Sequence, residues 1–205
     1  MAKSLPITIP GRNLEKTSIN RAPPEGKPMT RRLSPGLIQV YTGDGKGKTT
    51  SALGLGLRAL GRGFKVFMIQ FLKGEETGEQ YALRRLAPDF TFRQFGLAGF
   101  VRRGDFDPQD LAKVREAFAL ARQIIASGEY GLVILDEINV ALHFEMLTVT
   151  EVQEVLRSRP PHVEVILTGR YAPPGIIARA ALVTEMKKIK HCYNKGVPAR
   201  EGIEF

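Results

Sequence analysis

The sequence predicts an α/β fold: a mostly parallel sheet with helices on both faces. Three observations predict it. A short apolar run, Leu37-Ile38-Gln39-Val40-Tyr41, leads through a glycine-rich turn into apolar residues at helical spacing from Ser51 to Leu60. A second strand-like run, Tyr130 to Leu135, ends in the acidic pair Asp136-Glu137. Around these, apolar runs of strand length alternate with helical patterns, and that alternation is the signature of parallel strands joined by helical crossovers.

Composition sets the outer bounds. A chain of 205 residues allows one domain with a substantial core. With 43% hydrophobic and 25% charged residues it has the make-up of a soluble globular protein. No apolar run approaches the roughly 18 residues of a membrane helix, and Met1–Pro6 lacks the apolar core of a secretory signal. The single cysteine, Cys192, excludes an internal disulfide framework and fits a reducing cytoplasm. Net charge is +9, but residues 1–36 carry seven Lys/Arg against two Glu. Much of the basicity therefore lies in a tail, and the body shows no long basic run of the kind that tracks nucleic acid.

Six of the thirteen prolines also fall in residues 1–36. Residues 1–35 are therefore expected to form a basic, Pro-rich arm, either a solubilising tail or a segment that orders over a site; residues 36–205 form the domain. The first strand then enters Thr42-Gly43-Asp44-Gly45-Lys46-Gly47-Lys48-Thr49-Thr50. Strand, glycine turn, Gly-Lys-Thr and helix is the layout of a phosphate-binding loop. Glycines let backbone N–H groups turn toward one anion, and the helix N-terminus adds partial positive charge. Lys48 is placed to reach terminal phosphates, and the Thr49 hydroxyl to bind Mg²⁺. The common pattern has glycine where Thr42 stands, with Gly43 and Gly45 as the nearest substitutes.

Helix one ends near Gly61-Arg62-Gly63, and Phe64–Phe71 reads as a strand buried on both faces. It opens into the polar loop Leu72–Glu79, at the strand edge where ligands bind in open α/β sheets. A helix is expected over Gln80–Leu86, stopped by Pro88, then a strand over Phe90–Phe95. Gly96–Phe106 combines loop glycines with large apolar side chains. These either pack on the core, the first expectation from the residues, or wall a flat apolar ligand. Pro108 opens a long helix through Ser127, capped by Asp107. Asp136-Glu137 at the end of a buried strand resembles a Walker B segment, in which the Asp holds Mg²⁺ and the Glu binds metal or acts as a base. A strand-terminal Asp-Glu favours a RecA-like P-loop NTPase fold over the GTPase branch. Val149–Ser158 is an amphipathic helix capped by Thr148. Val163–Arg170 is a strand whose terminal Arg170 is a candidate for bidentate phosphate contact. A short helix to Ala180 and a strand Leu182–Met186 complete the pattern. His191 and Cys192 lack further metal-type neighbours, which argues against zinc.

The ordered set Thr42–Thr50, Gln70-Phe71-Leu72-Lys73-Gly74, Val133–Glu137, Leu167-Thr168-Gly169-Arg170 and Val183–His191, with Gly196-Val197 and Gly202–Phe205, resembles one family: the phosphate-loop ATP:corrinoid (cob(I)alamin) adenosyltransferases. The likeness spans residues 36–205, and the family too carries Thr at the first loop position. The resemblance implies transfer of the 5′-deoxyadenosyl group of ATP to Co(I) of a reduced corrinoid, with inorganic triphosphate leaving, in adenosylcobalamin synthesis or salvage. It implies Lys48, Thr49 and Glu137 as catalytic residues, and Thr49, Asp136 and Glu137 as Mg²⁺ ligands. Thr42, Gly43, Asp44, Gly45, Lys46, Gly47, Lys48, Thr49, Thr50 and Arg170 are implied for ATP. An electron donor such as a reduced flavoprotein, a homodimer, and no nucleic-acid or membrane partner are implied as well. Relatives displace the corrinoid's lower axial ligand with a Gly-Phe-x-Trp loop. Gly99-Phe100-Val101-Arg102 corresponds, making Phe100 a corrinoid-wall candidate. Arg102 stands where the pattern has Trp, and the chain has no Trp. Ala181 stands where the family has an acidic residue. The arm becomes a candidate lid over corrinoid. Two rival readings are a RecA-like nucleic-acid-stimulated ATPase and a nucleotide-gated switch without chemistry of its own.

Overall fold

The computed structural model describes residues 32–97, 104 and 106–205. Phe100, Arg102 and the arm up to residue 31 lie outside the described residues. The elements are β1 (Ile38–Thr42), α1 (Lys48–Leu60), β2 (Val66–Phe71), α2 (Gly78–Arg84), β3 (Phe90–Phe95), α3 (Pro108–Ser127), β4 (Leu132–Asp136), α4 (Ile138–His143), α5 (Val149–Ser158), β5 (Glu164–Thr168), α6 (Pro174–Ile177) and β6 (Leu182–Glu185), followed by a 3-10 turn, Cys192–Lys195.

All strand pairs are parallel, and the sheet runs β3-β2-β4-β5-β1-β6. Parallel strands buried on both faces need apolar residues at odd and even positions alike, and β2 and β4 supply them. Phe67, Ile69, Phe71, Val133 and Leu135 pack in one core with Val114, Phe118 and Ile125 of α3 and Val152 and Leu156 of α5. Val66, Met68, Leu132 and Ile134 pack in the other, with Ala52 of α1 and Leu83 of α2. Helices therefore cover both faces of the sheet.

The expected caps form. The Asp107 side chain accepts from Gln109 N at the start of α3, with Asp110 completing a capping box; Thr148 and Glu151 do the same at α5. Two boundaries differ from expectation in ways that matter. Strand β1 runs on to Thr42, and α1 begins at Lys48, so Lys48 and Thr49 lie in its first turn. Helix α4 was not anticipated. It follows directly on Asp136-Glu137, has only six residues and carries no side-chain cap, so no local signal marks it.

Candidate active site

The carboxyl ends of β2, β4, β5 and β1 lie side by side along one edge of the parallel sheet, and the loop from Gly43 to Gly47 joins the end of β1 to α1. Its course is set by the exit of β6. Gly45 N donates to Met186 O at 2.7 Å, and a Cβ at Gly43 or Gly45 would stand 2.4 or 2.7 Å from that same oxygen. Gly43 also holds φ +94°, a region that penalises any side chain. Thr42, where the common pattern has glycine, has a structural task of its own. Its hydroxyl accepts from Ala172 N at 3.3 Å and ties the loop after β5 to the phosphate loop.

Lys48 is buried, and its ammonium donates to Gly43 O and Gly45 O, both at 2.8 Å. Burial pushes it below the ordinary lysine value, with Glu137 acting in the opposite direction. The Thr49 hydroxyl donates to Asp136 Oδ1 at 2.9 Å. Asp136 is fully buried and accepts from two further donors: Thr168 Oγ1 to Oδ1 at 2.6 Å, and Gln70 Nε2 to Oδ2 at 2.8 Å. Glu137 N donates to Thr168 Oγ1 at 3.0 Å, and Glu137 itself adopts φ +62°. Burial, then the neighbouring Asp136 charge, pushes the Glu137 carboxyl above the usual glutamate range; Lys73, Lys48 and Arg170 pull the other way.

The remaining predicted residues divide. Arg170 is exposed and borders, with Thr42, Gly43, Asp44, Tyr171 and Glu185, a cleft of about 460 Å³. Tyr171 stacks on His143 with ring centroids 4.2 Å apart. Thr50 is exposed on the first turn of α1. Lys46 is turned toward the C-terminal tail, donating to Ile203 O at 2.8 Å and Glu204 Oε1 at 2.7 Å. Asp44 Oδ1 accepts from Lys188 N at 3.3 Å. Gln70, Thr168, Gln94 and Lys73 were not assigned to the site from the sequence. Gln70 had a readable signal, as the one amide in the otherwise apolar strand β2; Gln94 did not, because β3 also carries Thr91 and Arg93.

The Thr49 hydroxyl and the Asp136 carboxylate that meet here, with Glu137 next in the chain, are hard oxygens of the kind that suit Mg²⁺. Among the described residues no group of three or more His, Cys, Asp or Glu side chains could hold a metal alone.

A family model of ATP:corrinoid adenosyltransferases (BtuR/CobO/CobP) matches residues 34–205. The chain belongs to this family. Among its relatives, a corrinoid adenosyltransferase of Pseudomonas aeruginosa is 38% identical over 195 residues, 95% of this chain and 96% of that one. One from Escherichia coli K12 is 36% identical over 171 residues, 83% of this chain and 86% of that one. The corrinoid adenosyltransferase CobA of Salmonella typhimurium is 34% identical over the same coverage. A solved structure of the RadB recombinase is similar with TM-score 0.49 and 19% identity, over 78% of each chain. Within this family member, Lys48, Thr49, Asp136 and Glu137 lie together at the carboxyl edge of the sheet.

Proposed function

We propose that the protein transfers the 5′-deoxyadenosyl group of ATP to the cobalt of a reduced corrinoid. The Co(I) electron pair forms the Co–C bond to the ribose C5′, the C5′–O bond breaks, and its electrons leave with inorganic triphosphate. The observation that carries this reading is the meeting of Lys48, Thr49 and Asp136 at one point in a chain that matches the family over residues 34–205.

The chemistry asks little of a side-chain base, because the nucleophile belongs to the corrinoid. It asks for charge stabilisation on the leaving triphosphate and for exclusion of water around Co(I). Lys48 now bonds the loop carbonyls of Gly43 and Gly45; a phosphate oxygen would replace them, and its negative charge would restore the ammonium's affinity for its proton. Thr49, Asp136 and Glu137 are the groups proposed to hold Mg²⁺, which as a Lewis acid would neutralise charge on the phosphates. A cation there would also relieve the repulsion between the two carboxylates. Arg170, at the rim of the cleft beside the loop, is proposed to contact phosphate. The loop residues Thr42 to Thr50 make up the ATP cradle, and Phe100 is proposed as part of the corrinoid wall.

The proposal includes a homodimer, a reduced flavoprotein as electron donor and a cytoplasmic setting. No described helix is long and apolar enough to cross a membrane.

The test is anaerobic incubation with chemically reduced cobalamin, ATP and Mg²⁺. The expected result is loss of the Co(I) absorbance with formation of light-sensitive adenosylcobalamin, abolished by Lys48→Ala. Absence of product, with ATP instead yielding phosphate faster in the presence of nucleic acid, would overturn the reading.

A further inference from the structure

Three glutamines form a directional chain that ends on Asp136. Gln80 of α2 donates through Nε2 to Gln94 Oε1 at 2.9 Å. Gln94 of β3 donates through Nε2 to Gln70 Oε1 at 3.0 Å. Gln70 of β2 donates through Nε2 to Asp136 Oδ2 at 2.8 Å. The register explains why they meet: Gln70 lies opposite both Gln94 and Asp136 on neighbouring strands.

The orientation of each amide follows from its partners. A carboxylate can only accept, so Gln70 must present its NH₂ to Asp136 and its oxygen to Gln94. Gln94 also donates to the backbone carbonyl of Glu75 at 3.0 Å, another group that only accepts. Both contacts select one orientation of the Gln94 amide. Each glutamine-to-glutamine link and the last link to Asp136 therefore donate in the same direction, and aligned hydrogen bonds polarise one another.

A satisfied polar plug in the sheet would need only closed hydrogen bonds. This one runs between two functional places. Its inner end holds the one Asp136 oxygen that Thr49 and Thr168 leave free. Its outer end is anchored on Glu75 and Gln80, around the loop at the ligand edge. We infer that Gln70 is a positioning residue for the metal–nucleotide centre. It fixes the orientation of Asp136, while Gln94 and Gln80 fix Gln70 and link Glu75 and the first turn of α2 to that carboxylate. The inference rests on the proposed role of Asp136 toward Mg²⁺.

The experiment is a titration of the full chain with Mn²⁺, as a paramagnetic substitute for Mg²⁺, in the presence of ATP. Bound and free metal are counted by electron paramagnetic resonance. ATP affinity in EDTA is measured alongside. The variants are Gln70→Met, Gln94→Met and Asp136→Asn. Gln70→Met is expected to weaken ATP-dependent Mn²⁺ binding about 10-fold, the scale seen when a ligand's outer hydrogen-bond partner is removed. Gln94→Met should shift it by a smaller factor in the same direction, and metal-free ATP affinity should be unchanged in both. Gln94 is only half-buried, so that variant carries the test if Gln70→Met does not fold.

Mn²⁺ affinity within twofold of wild type in the folded glutamine variants would overturn the inference. Equal losses with and without metal would overturn it too, since they mark a general disturbance of the sheet. If Asp136→Asn retains wild-type Mn²⁺ binding, the role assigned to Asp136 falls, and the inference falls with it.

Discussion

Thr168→Val removes a single hydroxyl from the centre of the site and keeps the side chain's shape. That hydroxyl donates to Asp136 Oδ1 at 2.6 Å and accepts from Glu137 N at 3.0 Å, at a position with no solvent exposure. Losing a hydrogen bond to a charged group costs about 1.5–3 kcal/mol, and leaving the Glu137 N–H unpaired adds about 1–3 kcal/mol. The methyl group that replaces the hydroxyl returns about 0.8 kcal/mol by burial. The net expectation is a loss of about 2–5 kcal/mol, a large part of the total stability of an ordinary domain. Urea unfolding of the ligand-free protein measures it, with Thr168→Ser as the partner variant. Serine keeps the hydroxyl and deletes one methyl, so it should cost about 1 kcal/mol. A Thr168→Val protein within about 0.5 kcal/mol of wild type would refute the reasoning. So would equal losses for valine and serine, because the methyl and not the hydroxyl would then carry the effect.

Two further outcomes follow from the loop and the tail. Gly43→Ala should destabilise by more than about 1 kcal/mol, because it combines φ +94° with a Cβ 2.4 Å from Met186 O; thermal unfolding and ATP affinity are both expected to fall. Hydrogen bonds from Arg200, then Lys46, hold the Glu204 carboxyl down to about 2. A carboxyl whose folded value lies below its unfolded value adds stability above the unfolded value and loses it as pH falls toward the folded one. The contribution of Glu204 to attachment of the tail should therefore be full above about pH 5 and be lost progressively as pH falls from 4.5 to about 2. Carbon-detected NMR titration of Glu204 reads this directly, and a midpoint near the ordinary value of 4.5 would contradict it.

Much of the fold was legible because its signals are local. Asp107-Pro108 marks a helix start whatever the rest of the chain does, since a cap acts within one turn. The apolar runs at Val66–Phe71 and Leu132–Leu135 mark strands buried on both faces. Gly47-Lys48-Thr49 before a helix marks a phosphate loop for the same reason. Helix α4 escaped because six apolar-rich residues without a cap are equally compatible with strand.

The sequence by itself determined the α/β class, the phosphate loop, the acidic strand end and, through the ordered motifs, the family. Only the tertiary structure decided how these meet. Thr49 and Asp136 are 87 residues apart in the chain and become hydrogen-bonded because β4 lies two strands from β1 in the sheet. Strand order likewise decided that Gln70 and Thr168 share Asp136, and the packing of the connecting segments decided that Thr42 anchors Ala172 and that Lys46 faces the C-terminal tail. No spacing along the chain encodes such pairings. Local propensity acts over a few residues, whereas side chains on different strands find one another only after the sheet has chosen its order and register.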